Sequence, residues 1–227
     1  MKVAALFSGG KDSTYAARLI QERGDKLSYL VSVKPRNPES YMFHSVNLHI
    51  TPLQAEAWSV PLIQVKSSGR KEEEILDLKK ELSKLDIDGV VSGAIASNYQ
   101  RTRIDKICNE LGRKHISPLW GRERTNLMRE MLDNGMKIII SAVAAYGLDD
   151  SWLGKQIDQS MLDRLDELSR KFGVDISGEG GEYESLVIDA PWFINKIDII
   201  DAKRTWDGSS GRFIVKKARL SSKIHKD

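Results

Sequence analysis

VAALFSGGKDS, residues 3–13, decides how the rest of the chain is read. Val3-Ala4-Ala5-Leu6-Phe7 is an unbroken apolar run, as expected of a strand covered on both faces. Gly9 and Gly10 then free the backbone for a tight turn and for close approach to a ligand. A helical pattern follows, with Ala16, Ala17, Leu19 and Ile20 on its inner side and Gly24 as its stop. A glycine-rich turn from strand into helix gathers unpaired N–H groups, and the helix dipole there favours an anion by roughly 0.3–1 kcal/mol or more. Lys11 can neutralise phosphate oxygens, and Ser8 and Ser13 can donate hydroxyl hydrogen bonds. Asp12 would repel the same phosphates unless a magnesium ion lies between them. The stretch is not a Walker A loop, because Ala5 stands at the first glycine position and Asp12 follows the lysine. Nor does the turn contain Gly-x-Gly-x-x-Gly.

Downstream, strand-like and helix-like segments alternate. Leu27–Val33, Leu62–Val65 and Gly89–Ser92 read as strands, and Lys71–Leu85 and Ser97–Leu111 as helices. Thr51-Pro52-Leu53-Gln54 reads as a helix start, with a threonine cap, proline at the first position and glutamine closing a capping box. This rhythm predicts an α/β protein with a doubly wound parallel sheet. From about Pro118 the pattern changes. Helices over Thr125–Leu132 and Ser160–Phe172 accompany strands over Lys137–Ala145, Leu186–Ile188, Lys196–Ile200 and Arg212–Ala218, the last two joined by a turn at residues 207–211. The expected division is a phosphate-binding domain over residues 1–118 and a smaller C-terminal α+β domain over 119–227, which would bind the substrate.

Composition narrows the function classes. The 227 residues carry a net charge of +3, too small to argue for nucleic acid. One cysteine, Cys108, rules out a disulfide framework and a multi-cysteine metal site. Its register with Ile104 and Leu111 places it in the core. His44, His49, His115 and His225 show no metal-ligand spacing. No run approaches the ~20 apolar residues of a membrane span, and the N-terminal apolar run is shorter than a secretory signal. A cytoplasmic protein is expected; a homo-oligomer is left open.

SGGKDS after a terminal strand resembles the loop of the N-type ATP pyrophosphatases, the PP-loop superfamily with its adenine nucleotide alpha hydrolase-like sheet. That resemblance implies ATP as cofactor, with the loop holding the β- and γ-phosphates while the α-phosphorus is attacked. Three further stretches narrow it: Gly93 to Arg103 (GAIASNYQRTR), Pro118-Leu119-Trp120, and Gly178 to Ser185 (GEGGEYES). Together they resemble the diphthine–ammonia ligase, or diphthamide synthetase, family. The resemblance implies an AMP-forming ligase that amidates diphthine on translation elongation factor 2 with ammonium. A PP-loop enzyme acting on tRNA, and a regulatory module that holds ATP without chemistry, are the alternatives.

Candidate site residues follow. Ser8, Gly9, Gly10, Lys11, Asp12 and Ser13 would hold the phosphates, with Asp12 also the magnesium ligand. Ser32 and Val33, and Gly93 and Ala94, at the ends of strands, are candidates for the adenosine pocket. Arg101 and Arg103 lie two apart on a helix start, so one would reach phosphate or carboxylate while the other packs. Glu179, Glu182 and Glu184 would bind magnesium, bind ammonium or take a proton from ammonia, with Glu182 and Glu184 preferred.

Overall fold

The structure, a computed structural model, describes residues 1–35, 46–67 and 73–223. His44, His225 and the expected helix start at Lys71 lie outside the described residues. The chain forms two compact units, each assembled from several segments. The first comprises Met1–Ser8, Asp12–Thr51 and Val60–Gly121; the second comprises Gly9–Lys11, Pro52–Ser59 and Arg122–Asp227.

The first unit is built on five strands: β1 (Lys2–Leu6), β2 (Lys26–Pro35), β3 (Leu62–Ser67), β4 (Gly89–Val91) and β5 (Lys114–Ile116). All pairings are parallel, in the order β3-β2-β1-β4-β5. The order reverses between β1 and β4, so the loops leaving these two strands flank a topological switch point, where α/β sheets bind ligands. Side chains alternate across the sheet. Ala4, Val31, Val33, Val65 and Val90 pack with Leu78 and Leu82 of α3 (Glu73–Ser83) and with Ile104, Ile107 and Cys108 of α4 (Asn98–Glu110). Val3 and Ala5 point the other way and are also buried, and α1 (Lys11–Glu22) buries Ala16, Ala17 and Ile20. Covering both faces explains why β1 reads as an unbroken apolar run. Each buried Val, Leu or Ile among them contributes about 1.5–3 kcal/mol relative to exposure. Leu78→Ala is the kind of single change that would open this layer, at about 2–5 kcal/mol.

The second unit carries an antiparallel sheet in the order β7-β6-β9-β8, from β6 (Lys137–Val143), β7 (Tyr183–Asp189), β8 (Asn195–Trp206) and β9 (Gly211–Ser222). Its helices are α5 (Arg124–Asp133) and α6 (Gln159–Phe172). Asp158 caps α6 by accepting the Met161 N–H at 2.8 Å, and Gly173 ends it in the left-handed region at φ 73°. Asp207 ties the β8–β9 turn by accepting the Ser209 and Ser210 N–H groups at 2.9 and 2.7 Å.

Three features depart from the sequence reading. Strand β5 has no sequence signal, because a three-residue edge strand reading Lys-His-Ile shows no apolar run. Strands β8 and β9 extend well past the apolar stretches at 196–200 and 212–218. Their backbones stay paired where charged residues on exposed positions end the hydrophobic pattern. The capping box at Thr51 does not form. Thr51 is itself helical at the start of α2 (Thr51–Trp58), with φ −54° and ψ −33°, and its hydroxyl donates to the Leu48 carbonyl at 2.8 Å. Gln54 is occupied elsewhere.

Candidate active site

The turn after β1 supplies groups to both units. In the first, Ser8 and Ser13 come together: the Ser13 hydroxyl oxygen accepts the Ser8 N–H at 3.3 Å and lies 3.2 Å from Ser8 Oγ. Asp12 sits half-buried in the first turn of α1, where a carboxylate is favoured by the helix dipole. Gly93, just beyond β4, lies against this turn. A Cβ there would fall 2.7 Å from the Asp12 carbonyl carbon and 2.7 Å from the Ser13 nitrogen. Gly93 was expected to face adenosine; its position gives it a steric reason to be glycine, letting one strand-end loop pack on the backbone of the other.

The second unit contains Gly9, Gly10 and Lys11. Gly9 adopts φ +80°, which a side chain rarely tolerates. Its carbonyl accepts the Val187 N–H of β7 at 3.0 Å. Lys11 is 2% exposed. Its N–H donates to Ser185 Oγ at 3.2 Å, its ammonium donates to the Ser177 carbonyl, and the same ammonium lies 5.5 Å from the centre of the Tyr183 ring. The Ser177 carbonyl is itself held in place. Asp175 accepts the Ser177 N–H and hydroxyl at 2.8 and 2.7 Å, and its other oxygen pairs with Arg124 at 3.0 Å. Lys11 was expected to meet phosphate; a buried lysine needs an oxygen partner, and here a carbonyl supplies one.

The acidic stretch 178–185 divides between a turn and the start of β7. Gly178 and Gly181 take φ of +69° and +91°. At Gly178 a Cβ would meet the Tyr183 carbonyl oxygen at 2.8 Å, so the glycine permits the turn to close on the strand it feeds. Glu182 and Glu184 are half-buried. One Glu182 oxygen accepts the Asp175 N–H at 3.2 Å; its Oε2 is buried with no hydrogen-bond partner among the described residues. An acceptor left in that condition is costly unless a water or a ligand donates to it. The Tyr183 hydroxyl donates to the Ile176 carbonyl at 2.7 Å, tying the turn across its base.

In the first unit, α4 begins at its cap Ser97, whose side chain accepts the Gln100 N–H. The two arginines have different surroundings. Arg103 stacks on Tyr99 of its own helix, 3.6 Å from the ring centre. Arg101 lies over Trp120, 4.3 Å from the ring centre, with Asp105 at 3.8 Å. Ser32 and Val33 are buried in β2, with Ser32 Oγ lacking a hydrogen-bond partner among the described residues; Ala94 is buried as well. Sequence reasoning missed a chain of polar groups beside β4. His115 Nδ1 lies 2.6 Å from Asp105 Oδ1, and its Nε2 lies 2.8 Å from Ser92 Oγ and 3.1 Å from Ser117 Oγ. Only the register of β5 beside β4 brings His115 to Ser92, and no spacing rule would have found it.

No group of three or more His, Cys, Asp or Glu among the described residues is arranged to hold a metal ion. A magnesium ion at Asp12 would then be of the kind bound by one carboxylate, phosphate oxygens and water. The half-exposed Asp12 in the first turn of α1 fits that role, and the glycine turn with its positive φ fits phosphate oxygens.

A central parallel strand that passes through paired glycines into a helix N-terminus at the switch point defines an α/β nucleotide-binding protein of the phosphate-loop kind. Two family models cover the chain: the diphthamide synthase N-terminal domain over residues 1–115 and the diphthamide synthase C-terminal domain over residues 123–221. Proteins named diphthine–ammonia ligase from Bos taurus and Homo sapiens are each 37% identical over 236 residues, covering 94% of this chain and 88% of theirs. One of that name from Rattus norvegicus is 38% identical over 247 residues, covering 97% and 91%. The chain belongs to the diphthamide synthase family.

Proposed function

We propose that the protein is an ATP-dependent, AMP-forming ligase that amidates diphthine on translation elongation factor 2 with ammonia, giving diphthamide. What carries the reading is that both halves match one family, with SGGKDS inside the first match and GEGGEYES inside the second. A carboxylate is a poor electrophile because its charge deactivates the carbonyl. ATP supplies the adenylyl group that turns one carboxylate oxygen into part of a good leaving group. The chain's own residues then position and stabilise charge. Ser8, Gly9, Gly10 and Ser13 cradle the outer phosphates, Lys11 neutralises them, and Asp12 holds the magnesium ion.

Arg101 stabilises charge at the α-phosphate or the substrate carboxylate, while Arg103 packs. Glu182, with its orphaned oxygen, binds ammonium or removes the proton released as nitrogen attacks, and Glu184 assists. Ser32, Val33, Gly93 and Ala94 line the adenosine pocket. The region 119–227 binds the protein substrate. No helix among the described residues is long and apolar enough to cross a membrane, and the proposed reaction would take place in the cytoplasm, where the factor works.

The test is a single mixture: protein, ATP, magnesium, ammonium and the diphthine-bearing factor. AMP, pyrophosphate and a small mass change on the factor are expected. Nucleotide binding without pyrophosphate release would favour a regulatory module, and turnover on tRNA with steep salt dependence would favour RNA modification. Asp12→Asn should abolish turnover, and Glu182→Gln should impair amide formation; normal rates in either would remove the role assigned.

A further inference from the structure

Gln54 is fully buried on α2 and takes no part in the helix cap its sequence position suggests. Its side-chain nitrogen donates to two backbone carbonyls, Gly9 and Val187, each at 2.8 Å. The amide orientation is fixed by chemistry, since two carbonyl oxygens require a donor between them. With Val187 N–H already donating to the Gly9 carbonyl, the glutamine amide completes a small ladder between the loop and the β7 edge. The amide oxygen of Gln54 is buried without a hydrogen-bond partner among the described residues and occupies the place of a side chain at Gly9. A Cβ built there would fall 2.2 Å from it. The glycine and the glutamine therefore require each other.

The geometry points to Gln54 as a positioning residue that sets the direction of a phosphate-binding N–H. Peptide bonds are trans and planar, so a carbonyl and the following N–H point to opposite sides. Holding the Gly9 carbonyl toward Gln54 fixes the Gly10 N–H on the far side of the same peptide plane. Without Gln54 the Gly9 carbonyl keeps only the Val187 N–H, and a peptide between two glycines held by that single bond turns over more readily, which would present a carbonyl oxygen where an anion needs a donor. The inference rests on the reading of residues 8–13 as the ATP phosphate loop. It adds a residue 45 positions downstream that no phosphate-loop motif contains.

The experiment compares wild type, Gln54→Glu, Gln54→Met and Ser13→Ala, titrated with ATP and with AMP by calorimetry between pH 6 and pH 8. Thermal melts confirm that each variant is folded. Met keeps the length of the side chain but donates nothing. An ionised Glu faces two carbonyl oxygens with no proton to give, whereas a protonated Glu donates one hydrogen bond. Burial and the carbonyls both favour the protonated form, so its rescue should extend into this pH range. The expected result is a roughly tenfold loss of ATP affinity for Gln54→Met, of the size that loss of the bond to the Gly9 carbonyl, the one of its two that orients the loop peptide, allows, with AMP affinity held within about twofold. Gln54→Glu should match that loss at pH 8 and recover as the pH falls, a profile absent from wild type. Equal losses for ATP and AMP, or no loss in a folded Gln54→Met, would overturn the assignment of Gln54 alone. If Ser13→Ala also leaves ATP affinity untouched, the phosphate-loop reading fails, and the role of Gln54 falls with it.

Discussion

Gly93→Ala is the sharpest perturbation the first unit offers. The added Cβ would sit 2.7 Å from two backbone atoms at the Asp12–Ser13 peptide, where ordinary contact begins at 3.4 Å. Neither atom belongs to a flexible side chain, so the loop after β4 and the first turn of α1 must separate by about 0.7 Å, a shift of overpacking kind that costs about 1–3 kcal/mol. For a chain of this length that is about 2–12 °C in melting temperature. The displaced turn carries Asp12 and Ser13, and misplacement approaching an ångström can cost about a hundredfold in rate. Gly24→Ala is the control. Its Cβ would meet nothing within 4 Å although its φ is +87°, so it isolates the backbone strain, about 1–2 kcal/mol, from the clash. Thermal melts and ammonium-dependent AMP release on both variants provide the assay. Gly93→Ala should lose both stability and at least about tenfold in rate, and Gly24→Ala stability alone. A Gly93→Ala enzyme with wild-type turnover would refute the argument that these two loops set each other's position.

Other expectations follow from single sites. Burial among apolar side chains pushes the Cys108 thiol up to about 11, with Asp105 adding to the rise, so native protein should resist thiol reagents at pH 8 and react once unfolded in urea. Cys108→Ser would place a hydroxyl in that cluster and should cost about 1–3 kcal/mol by denaturant titration. The Ser209 and Ser210 N–H groups, then their hydroxyls, hold the Asp207 carboxyl well below the usual range. Its contribution is therefore complete above the unfolded value of about 3.9 and declines as the pH falls below it. Asp207→Ala should melt earlier than wild type at pH 7, and the gap should narrow below pH 4; a gap that widens in acid would contradict the hydrogen-bonding account. Arg101→Ala should lower AMP formation by about a hundredfold to a thousandfold, the range seen when a charge-stabilising donor is removed, whereas Arg103→Ala should act mainly on stability, since it covers Tyr99 of its own helix. Equal kinetic losses at the two positions would cancel the distinction.

The parallel half was legible because its signals are local. An apolar run, two glycines and a spaced helical face define β1, the loop and α1 within some twenty residues, and Ser97 announces α4 by capping it. Strands β8 and β9 were found but cut short, because pairing between backbones outlasts the hydrophobic pattern at Lys203 and Arg204 or at Arg219 and Ser221. The wiring of the candidate site was opaque in the sequence. Gln54 looked like part of a helix cap, since Thr-Pro-x-Gln satisfies that spacing; only the folded chain reveals two carbonyls sharing its amide hydrogens. His115 gave no sign of its link to Ser92, and the carbonyl partner of Lys11 belongs to a residue whose side chain is irrelevant to the contact.

The partners of Lys11 lie 166 and 174 positions further along the chain, at Ser177 and Ser185. At synthesis rates of about 5–20 residues per second, roughly 9–35 seconds separate the appearance of this lysine from that of β7. Throughout that interval the nascent polypeptide has its nucleotide motif but not the scaffold that shapes it. Translation order thus delays completion of the turn, and under the proposed function a ribosome-bound fragment ending before β7 would not sequester ATP.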